Sequence, residues 1–280
     1  WAGLVAAFVV AACSDSTAPP TPTVVSISGS SSQLSHAGAT LQFSAVVTDQ
    51  HGAVMAEAPV AWNSSGSDVA TVSASGLVTA RGSGSAQITA SAGSASDVRT
   101  VTVTLVPASI ELLAGADQIG VVAEPLPDSI RVLVRDSGGT PIPGSAVEVT
   151  VEGGGSVSPA SGTTDASGGF AARWTVGTDS RETYRATFRA GSMSAVVTAT
   201  ARPGSPAEIA IVAGDGQEAW AGDPLDEPLV VRIEDAFGNG VPSVPVSWST
   251  APGHGSLTPD EPISDSMGTA RASWMAGNAL

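Results

Sequence analysis

The residues best suited to catalysis or metal binding are few and widely separated along the chain. The three histidines are His36, His51 and His254, and the only cysteine is Cys13. No Gly-x-Ser-x-Gly, His-Glu-x-x-His, Cys-x-x-Cys or phosphate-loop motif accompanies them. The glycine run at 153–155 follows a predicted strand but opens no helix, so it indicates a loop. We therefore predict no enzymatic activity, no catalytic residue, no cofactor and no metal site.

Two other residue types are candidates for binding. Asp136 and Asp235 each open an Asp-x-x-Gly stretch. Asp can bond its own downstream backbone and Gly supplies positive φ, so this pattern favours a turn. An alternative is a calcium ligand, but no cluster of acidic positions surrounds either residue. Trp220 lies in a predicted loop and is the best candidate for an exposed contact with a ligand; a core position is the alternative.

Cys13 stands at the end of an apolar run that begins at Trp1. The run is shorter than the roughly 20 residues of a membrane-spanning helix and is typical of a signal peptide. Val10-Ala-Ala-Cys13 resembles the lipobox of bacterial lipoproteins. The resemblance implies cleavage before Cys13 and lipidation of its thiol; an ordinary signal peptide with an incidental Cys is the alternative. Because the sequence starts at Trp without a basic segment, we expect the natural chain to begin earlier.

The amino-acid composition argues against some classes of binding partner and indicates the fold class. The net charge is −15, and all 11 basic residues are Arg. Nucleic-acid binding needs a basic surface, so we predict no nucleic-acid partner. Electrostatic docking to an anionic membrane is disfavoured for the same reason. Val and Thr favour strands, whereas Gly, Pro and Ser favour turns. The predicted fold class is all-β, with immunoglobulin-like β-sandwiches in an extended array after a short signal-peptide helix.

A repeated stretch organises the second half of the chain. Asp165-Ala-Ser-Gly-Gly-Phe-Ala-Ala-Arg-Trp174 returns as Asp265-Ser-Met-Gly-Thr-Ala-Arg-Ala-Ser-Trp274. A period near one hundred residues indicates tandem domains rather than a solenoid of small repeats. We predict a signal peptide at 1–12, a tether at 13–23, and three modules at 24–105, 107–201 and 206–280. Proline in the short links between modules favours semi-rigid joints.

In the first module, short alternating runs predict about seven strands. One predicted strand includes Leu41, Phe43, Ala45 and Val47 on one face. Val60-Ala-Trp-Asn-Ser-Ser65, Val69-Ala-Thr-Val72 and Ser75-Gly-Leu-Val-Thr-Ala80 together resemble the bacterial Ig-like domain, group 2. The resemblance implies an immunoglobulin-like sandwich of a surface protein, with Trp62 in its core.

In the second module, alternation predicts that one side chain in two faces inward. The predicted inward residues are Ile130, Val132, Val134, Val147, Val149, Val151, Phe170, Ala172, Trp174, Val176, Tyr184, Ala186, Phe188, Val197, Ala199 and Ala201. The third module repeats part of the pattern, with predicted strands through Leu229–Ile233, Val246–Trp248 and Ala270–Trp274. Trp174, Trp248 and Trp274 are therefore predicted core residues.

The turn segments of these two modules carry a second resemblance. Asp136-Ser-Gly-Gly-Thr-Pro-Ile-Pro-Gly144 and Asp235-Ala-Phe-Gly-Asn-Gly-Val-Pro-Ser243 resemble the bacterial Ig-like domain, group 1. That family forms the stalks of invasin- and intimin-type adhesins. The third module lacks counterparts of the second module's last two predicted strands, so we expect the natural chain to continue.

These features predict a non-catalytic lipoprotein, secreted and lipid-anchored at the bacterial cell envelope, at the outer membrane or cell surface. Its function would be that of an Ig-like stalk or adhesion array. Its partners would be the membrane, through the N-terminal lipid, and an unidentified surface protein or glycan. Two alternatives stay open: a spacer for an enzyme or carbohydrate-binding head beyond the C-terminus, and a glycan-binding module in its own right.

Overall fold

The computed structural model describes residues 18–278. The chain divides into two compact units, with the boundary between Leu105 and Val106. The regular structure of residues 18–278 consists of β-strands, and no helix occurs there. This part of the chain accordingly contains no helix long and apolar enough to cross a membrane. The predicted signal-peptide helix and Cys13 lie outside the described residues.

The first unit carries three small antiparallel or mixed sheets. Their strand orders are β1-β4, β2-β9-β8-β5 and β3-β7-β6. Ala86, Ile88 and Ala90 of β8 are at most 1% exposed, so the predicted alternation there is confirmed. The strands are β1 (Pro22–Ser28), β2 (Gln33–Leu34), β3 (Thr40–Gln42), β4 (Ser44–Asp49), β5 (Ala61–Ser64), β6 (Ala70–Val72), β7 (Leu77–Ala80), β8 (Gly84–Ala92) and β9 (Ala95–Val103).

The run from Leu41 to Val47 was predicted as one strand, and this is wrong. It forms two strands in two sheets, β3 pairing with β7 and β4 pairing with β1. The chain changes sheet at Phe43, which is 2% exposed. Its backbone N–H donates to the carbonyl of Gly76. A strand that switches between sheets keeps its side-chain alternation, so the sequence pattern alone does not reveal the break.

The second module, within the second unit, has two sheets. Their strand orders are β10-β12-β16-β14 and β11-β18-β17-β13-β15. The strands are β10 (Ser109–Ala114), β11 (Gln118–Val121), β12 (Ile130–Arg135), β13 (Ala146–Glu152), β14 (Ser156–Ser158), β15 (Ser161–Thr163), β16 (Gly169–Thr175), β17 (Thr183–Ala190) and β18 (Met193–Arg202).

The core of the second module lies between these sheets. Phe170 of one sheet meets Phe188 of the other edge-to-face, with ring centroids 6.4 Å apart. This geometry suits the aromatic quadrupole and joins the two layers. The predicted inward positions of β12, β16, β17 and β18 are at most 8% exposed, which confirms the alternation. The module is a two-layered β-sandwich.

The third module has one four-stranded sheet in the described residues, with strand order β19-β20-β22-β21. The predicted strand through Val246–Trp248 is wrong, because these residues do not adopt strand conformation. Its counterpart in the second module, β13, is held mainly by β17, and residues 206–278 contain no counterpart of β17. The strands are β19 (Pro206–Ala213), β20 (Leu229–Asp235), β21 (Gly255–Glu261) and β22 (Thr269–Ala276).

Candidate functional site

The Asp-x-x-Gly pattern forms one recurrent turn. In each case a carboxylate oxygen accepts hydrogen bonds from the backbone N–H groups two and four residues later. For Asp165 these donors are Ser167 and Gly169, at 2.8 and 3.0 Å. The glycine has φ near +80°, which L-residues adopt only with strain. The turns begin at Asp49, Asp136, Asp165, Asp235 and Asp265.

In the turns at Asp165 and Asp265 the hydrogen bonds stabilise the ionised carboxylate, as the pKa values of these two residues show. The Ser167 hydroxyl and the backbone N–H groups of Gly169 and Ser167 lower the pKa of Asp165 below its ordinary value of 3.8. The backbone N–H groups of Thr269 and Met267 likewise lower the pKa of Asp265. Each carboxylate is therefore engaged by its own turn. Among residues 18–278, no group of three or more His, Cys, Asp and Glu side chains is arranged to hold a metal ion.

The turn at Asp235 also forms a joint between the second and third modules. Asn239 is 6% exposed. Its side-chain amide donates to the carbonyl of Thr178 at 2.8 Å and accepts from the backbone N–H of Ser180 at 2.9 Å. The second oxygen of Asp235 accepts from the backbone N–H of Gly204 in the link, also at 2.8 Å. We call these five residues the 178–239 joint.

Asn239 and Asp235 are also bonded to each other. The amide nitrogen of Asn239 lies 3.1 and 2.9 Å from the two carboxylate oxygens of Asp235. Burial acts to raise the pKa of Asp235, but the hydrogen bonds from Asn239, Gly204 and Phe237 lower it on balance. Buried polar groups that are fully bonded define one geometry, because breaking any bond leaves a desolvated group unpaired. The joint therefore restrains the orientation of the two modules.

Sequence analysis did not identify Asn239 as a joint residue. The signal available was a difference between the two copies, since Thr140 occupies the corresponding position in the second module. Thr140 is exposed; its backbone N–H donates to the carboxylate of Asp136 and its carbonyl accepts from the backbone N–H of Asp136.

The predicted core tryptophans differ in their surroundings. Trp174 is fully buried, and its indole N–H has no hydrogen-bond partner. Trp62 is half-buried and lies against Gly76, where a Cβ would approach its ring at 3.0 Å. Trp248 is half-buried and packs against a small cluster of Ile233, Val241 and Ala270. Trp274 is half-buried and donates its indole N–H to the carbonyl of His254.

Trp220, the candidate ligand contact, is 84% exposed. It lies in a loop between β19 and β20, and its carbonyl accepts from the backbone N–H of Asp223. The side chain therefore presents its whole indole to solvent, where an aromatic ring is available for stacking on a partner.

The histidines are not brought into one site. His51 lies in the Asp49 turn of the first unit and His36 in another turn of that unit. His254 belongs to the second unit, where its ring nitrogen is 3.2 Å from the carbonyl of Pro252. His254 lines an apolar groove of about 470 Å³ on the third module, with Ile211, Leu229, Val231, Trp248 and Trp274. We call this surface the third-module groove.

Comparison with solved structures shows distant similarity to bacterial surface proteins. The Escherichia coli adhesin FdeC is 18% identical, with 94% of this chain and 91% of that one covered and a TM-score of 0.42. The Yersinia pseudotuberculosis adhesin InvE is 15% identical, with 91% and 73% covered and a TM-score of 0.44. Domains 4–9 of the surface-layer protein SbsC are 17% identical, with a TM-score of 0.31; the match spans 92% of this chain and 44% of that chain.

The first module also matches a family model. No curated protein matches the chain. The bacterial Ig-like domain (group 2) model matches residues 23–103, which contain the Trp62, Val69–Val72 and Ser75–Ala80 segments that resembled this family. Over residues 23–103 this chain is therefore similar to the bacterial Ig-like domain of group 2.

Proposed function

We propose that this chain is a non-catalytic cell-surface lipoprotein that acts as an Ig-like stalk or adhesion array. The 178–239 joint is the observation that carries the proposal. A stalk must hold its far end in a fixed position relative to its anchor. Neighbouring domains of one chain move relative to one another unless contacts between them prevent it. Asn239 is buried and bonds the preceding module through both its amide oxygen and its amide nitrogen, which opposes that movement.

The arrangement of polar side chains in the described residues favours a structural function. The turn carboxylates bond their own backbone, and the histidines occupy separate turns. Catalysis requires an acid, base or nucleophile positioned against a substrate in a shared cleft. The family of the first module, a bacterial Ig-like domain, agrees with a structural part of a surface protein.

The anchor of this stalk is the lipid on Cys13, and the second and third modules are invasin/intimin-type Ig-like domains. More than one acyl chain holds a protein firmly at a membrane, whereas a single chain is marginal. The experiment is metabolic labelling with radioactive palmitate in a bacterial host, comparing the chain with its Cys13→Ala variant. Label in the parent alone supports the anchor, and equal label in both overturns it.

Surface exposure is tested separately on intact cells. Protease added outside should remove the three modules from the parent but leave a cytosolic marker protein intact. Full protection of the modules from protease would contradict a surface location.

Trp220 is the proposed contact with a surface protein or glycan. Its exposed indole has the area and rigidity that binding surfaces use. Binding of the full chain to a glycan array, or to host-cell surface protein, should weaken in Trp220→Ala. The matched control is Phe237→Ala, which removes another exposed aromatic ring of the same module. Equal weakening by both variants, or by neither, would contradict a specific contact.

A further inference from the structure

The sheet of the third module has the same plan as one sheet of the second module. Strands β19, β20, β22 and β21 stand in the same order as β10, β12, β16 and β14. The registers agree as well: Ile209 lies opposite Ile233, as Ile110 lies opposite Val134. The inner face of each sheet can therefore be compared position by position.

In the second module that inner face is covered, and in the third it is open. Ile130, Val132 and Trp174 are fully buried. Their counterparts Leu229, Val231 and Trp274 are all partly exposed. On the edge strand β19, Ile209 and Ile211 are 62% and 69% exposed. An exposed apolar face of this kind is typical of an interaction site.

Within residues 18–278, backbone N–H groups on both sides of the third-module groove donate no hydrogen bond. In the second module β13 pairs with β17, and β11 pairs in parallel with β18. The segments that correspond to β13 and β11 are 245–251 and 217–220. Successive N–H groups of an extended segment point to opposite sides, so Ser247 and Ser249 of one segment and Gln217 and Ala219 of the other direct theirs toward the groove. Among the described residues these four N–H groups donate no hydrogen bond. The segment 245–251 is bonded on its other side, where the N–H of Val246 donates to the carbonyl of Pro262.

The unfilled space beside the third-module sheet therefore corresponds to two strands whose inward side chains are apolar. In the second module two strands fill it: β17, antiparallel to β13, and β18, parallel to β11. The two strands are joined as an antiparallel hairpin. Their inward side chains are apolar and at most 7% exposed: Tyr184, Ala186, Phe188, Val197, Ala199 and Ala201.

We propose that the third-module groove is a docking site for a β-hairpin of this chemistry, a pair of antiparallel strands with an alternating apolar face. One strand pairs antiparallel with 245–251 and the other parallel with 217–220. Strand addition of this kind draws its affinity from main-chain hydrogen bonds and its specificity from alternate side chains. A second copy of this chain laid face-to-face would cover the apolar side chains but leave both backbone edges unpaired, so the hairpin fits better.

The test uses the full chain and a synthetic peptide with the sequence of residues 178–202. The expected result is slower amide hydrogen exchange at the groove-facing amides of Ser247, Ser249, Gln217 and Ala219, by about 100-fold at saturation. Trp274 and Trp248 emission should shift to shorter wavelength. A control peptide carrying Tyr184→Asp and Phe188→Asp should have neither effect. Unchanged exchange with the peptide, or the same protection from the control peptide, would count against the proposal.

In a second experiment the hairpin is part of the chain, so the result does not depend on the affinity of a free peptide. Residues 178–202 are repeated directly after Gly277, the counterpart of Gly177, so that the hairpin is tethered to its site. Protection of the Ser247 and Ser249 amides in this variant, lost when the repeated copy carries the two Asp substitutions, supports the hairpin. Continued rapid exchange overturns it. Protection of the same amides in the unaltered chain, rising with its own concentration, would identify a second copy as the occupant and also overturn it.

Discussion

At the scale of single residues, the Asp-x-x-Gly turns stabilise the fold through charge as well as geometry. The carboxylate of Asp165 accepts three hydrogen bonds within its own turn. They favour its ionised form and lower its pKa below 3.8. A group whose pKa is lower in the folded state adds stability above its unfolded pKa. That stability is lost as the pH falls through the folded value.

Asp165→Asn tests this charge without removing the turn, because Asn bonds its own backbone in the same way. We expect the parent to be more stable than the variant at neutral pH. The difference should shrink as the pH falls below about 4, where the unfolded carboxyl is protonated. Urea denaturation between pH 7 and pH 2 measures it. A stability difference independent of pH would contradict the role of the ionised carboxylate.

The tryptophans allow a matched comparison of a buried and an exposed ring. Trp174→Ala removes a fully buried indole and leaves a cavity, so we expect a loss of roughly 3–5 kcal/mol in the free energy of unfolding. Trp220→Ala, at an 84% exposed position, should change it by less than about 0.5 kcal/mol. Denaturant unfolding of both full-length variants gives the comparison. Similar losses of unfolding free energy in the two variants would contradict the burial of Trp174 in the sandwich core.

At the scale of elements, Gly155, just before β14, lies too close to β16 for any side chain to fit. Gly155 has φ +86°, and a Cβ there would overlap the carbonyl oxygen of Thr175. Gly139 has φ +79° with nothing within 4 Å of the Cβ position. A side chain at position 155 would cause both backbone strain and a steric clash, whereas a side chain at position 139 would cause backbone strain alone.

Gly139→Ala should therefore cost roughly 1–2 kcal/mol, the usual cost of a left-handed L-residue. Gly155→Ala should cost clearly more, because β14 must move away from β16 to admit the methyl group. Thermal unfolding of the two variants ranks them. Equal destabilisation would mean that the β14–β16 pairing is not as close as described.

Alternation predicted the burial of individual strands well, since a strand buried on one face must alternate. Residues of β12, β16, β17 and β18 were assigned correctly from this pattern. The same rule failed for Val246–Trp248, because a strand also needs a neighbour to bond with, and pattern does not supply one. It also missed the change of sheet at Phe43, where alternation continues across the break. Strands β1, of seven residues, and β2, of two, lay outside the runs that were used.

At the scale of the molecule, the joint between the second and third modules was beyond sequence reasoning. The links were predicted to be semi-rigid from proline content alone. The structure adds a specific cause: besides the bonds of their own turn, Asn239 and Asp235 bond Thr178, Ser180 and Gly204. Such contacts depend on which turn of one module meets which end of another. No local pattern in the sequence encodes that meeting.

The 178–239 joint holds the second and third modules in one orientation, as the proposed stalk requires. Spin labels at Ser161→Cys and Ser256→Cys, one on each module and both exposed, report the distance between modules once Cys13→Ala has removed the native thiol. Pulsed electron paramagnetic resonance should give a single narrow distance distribution. Asn239→Ala should broaden it, whereas Thr140→Ala, at the corresponding turn of the second module, should not. A broad distribution in the parent, or one left unchanged by Asn239→Ala, would contradict the account.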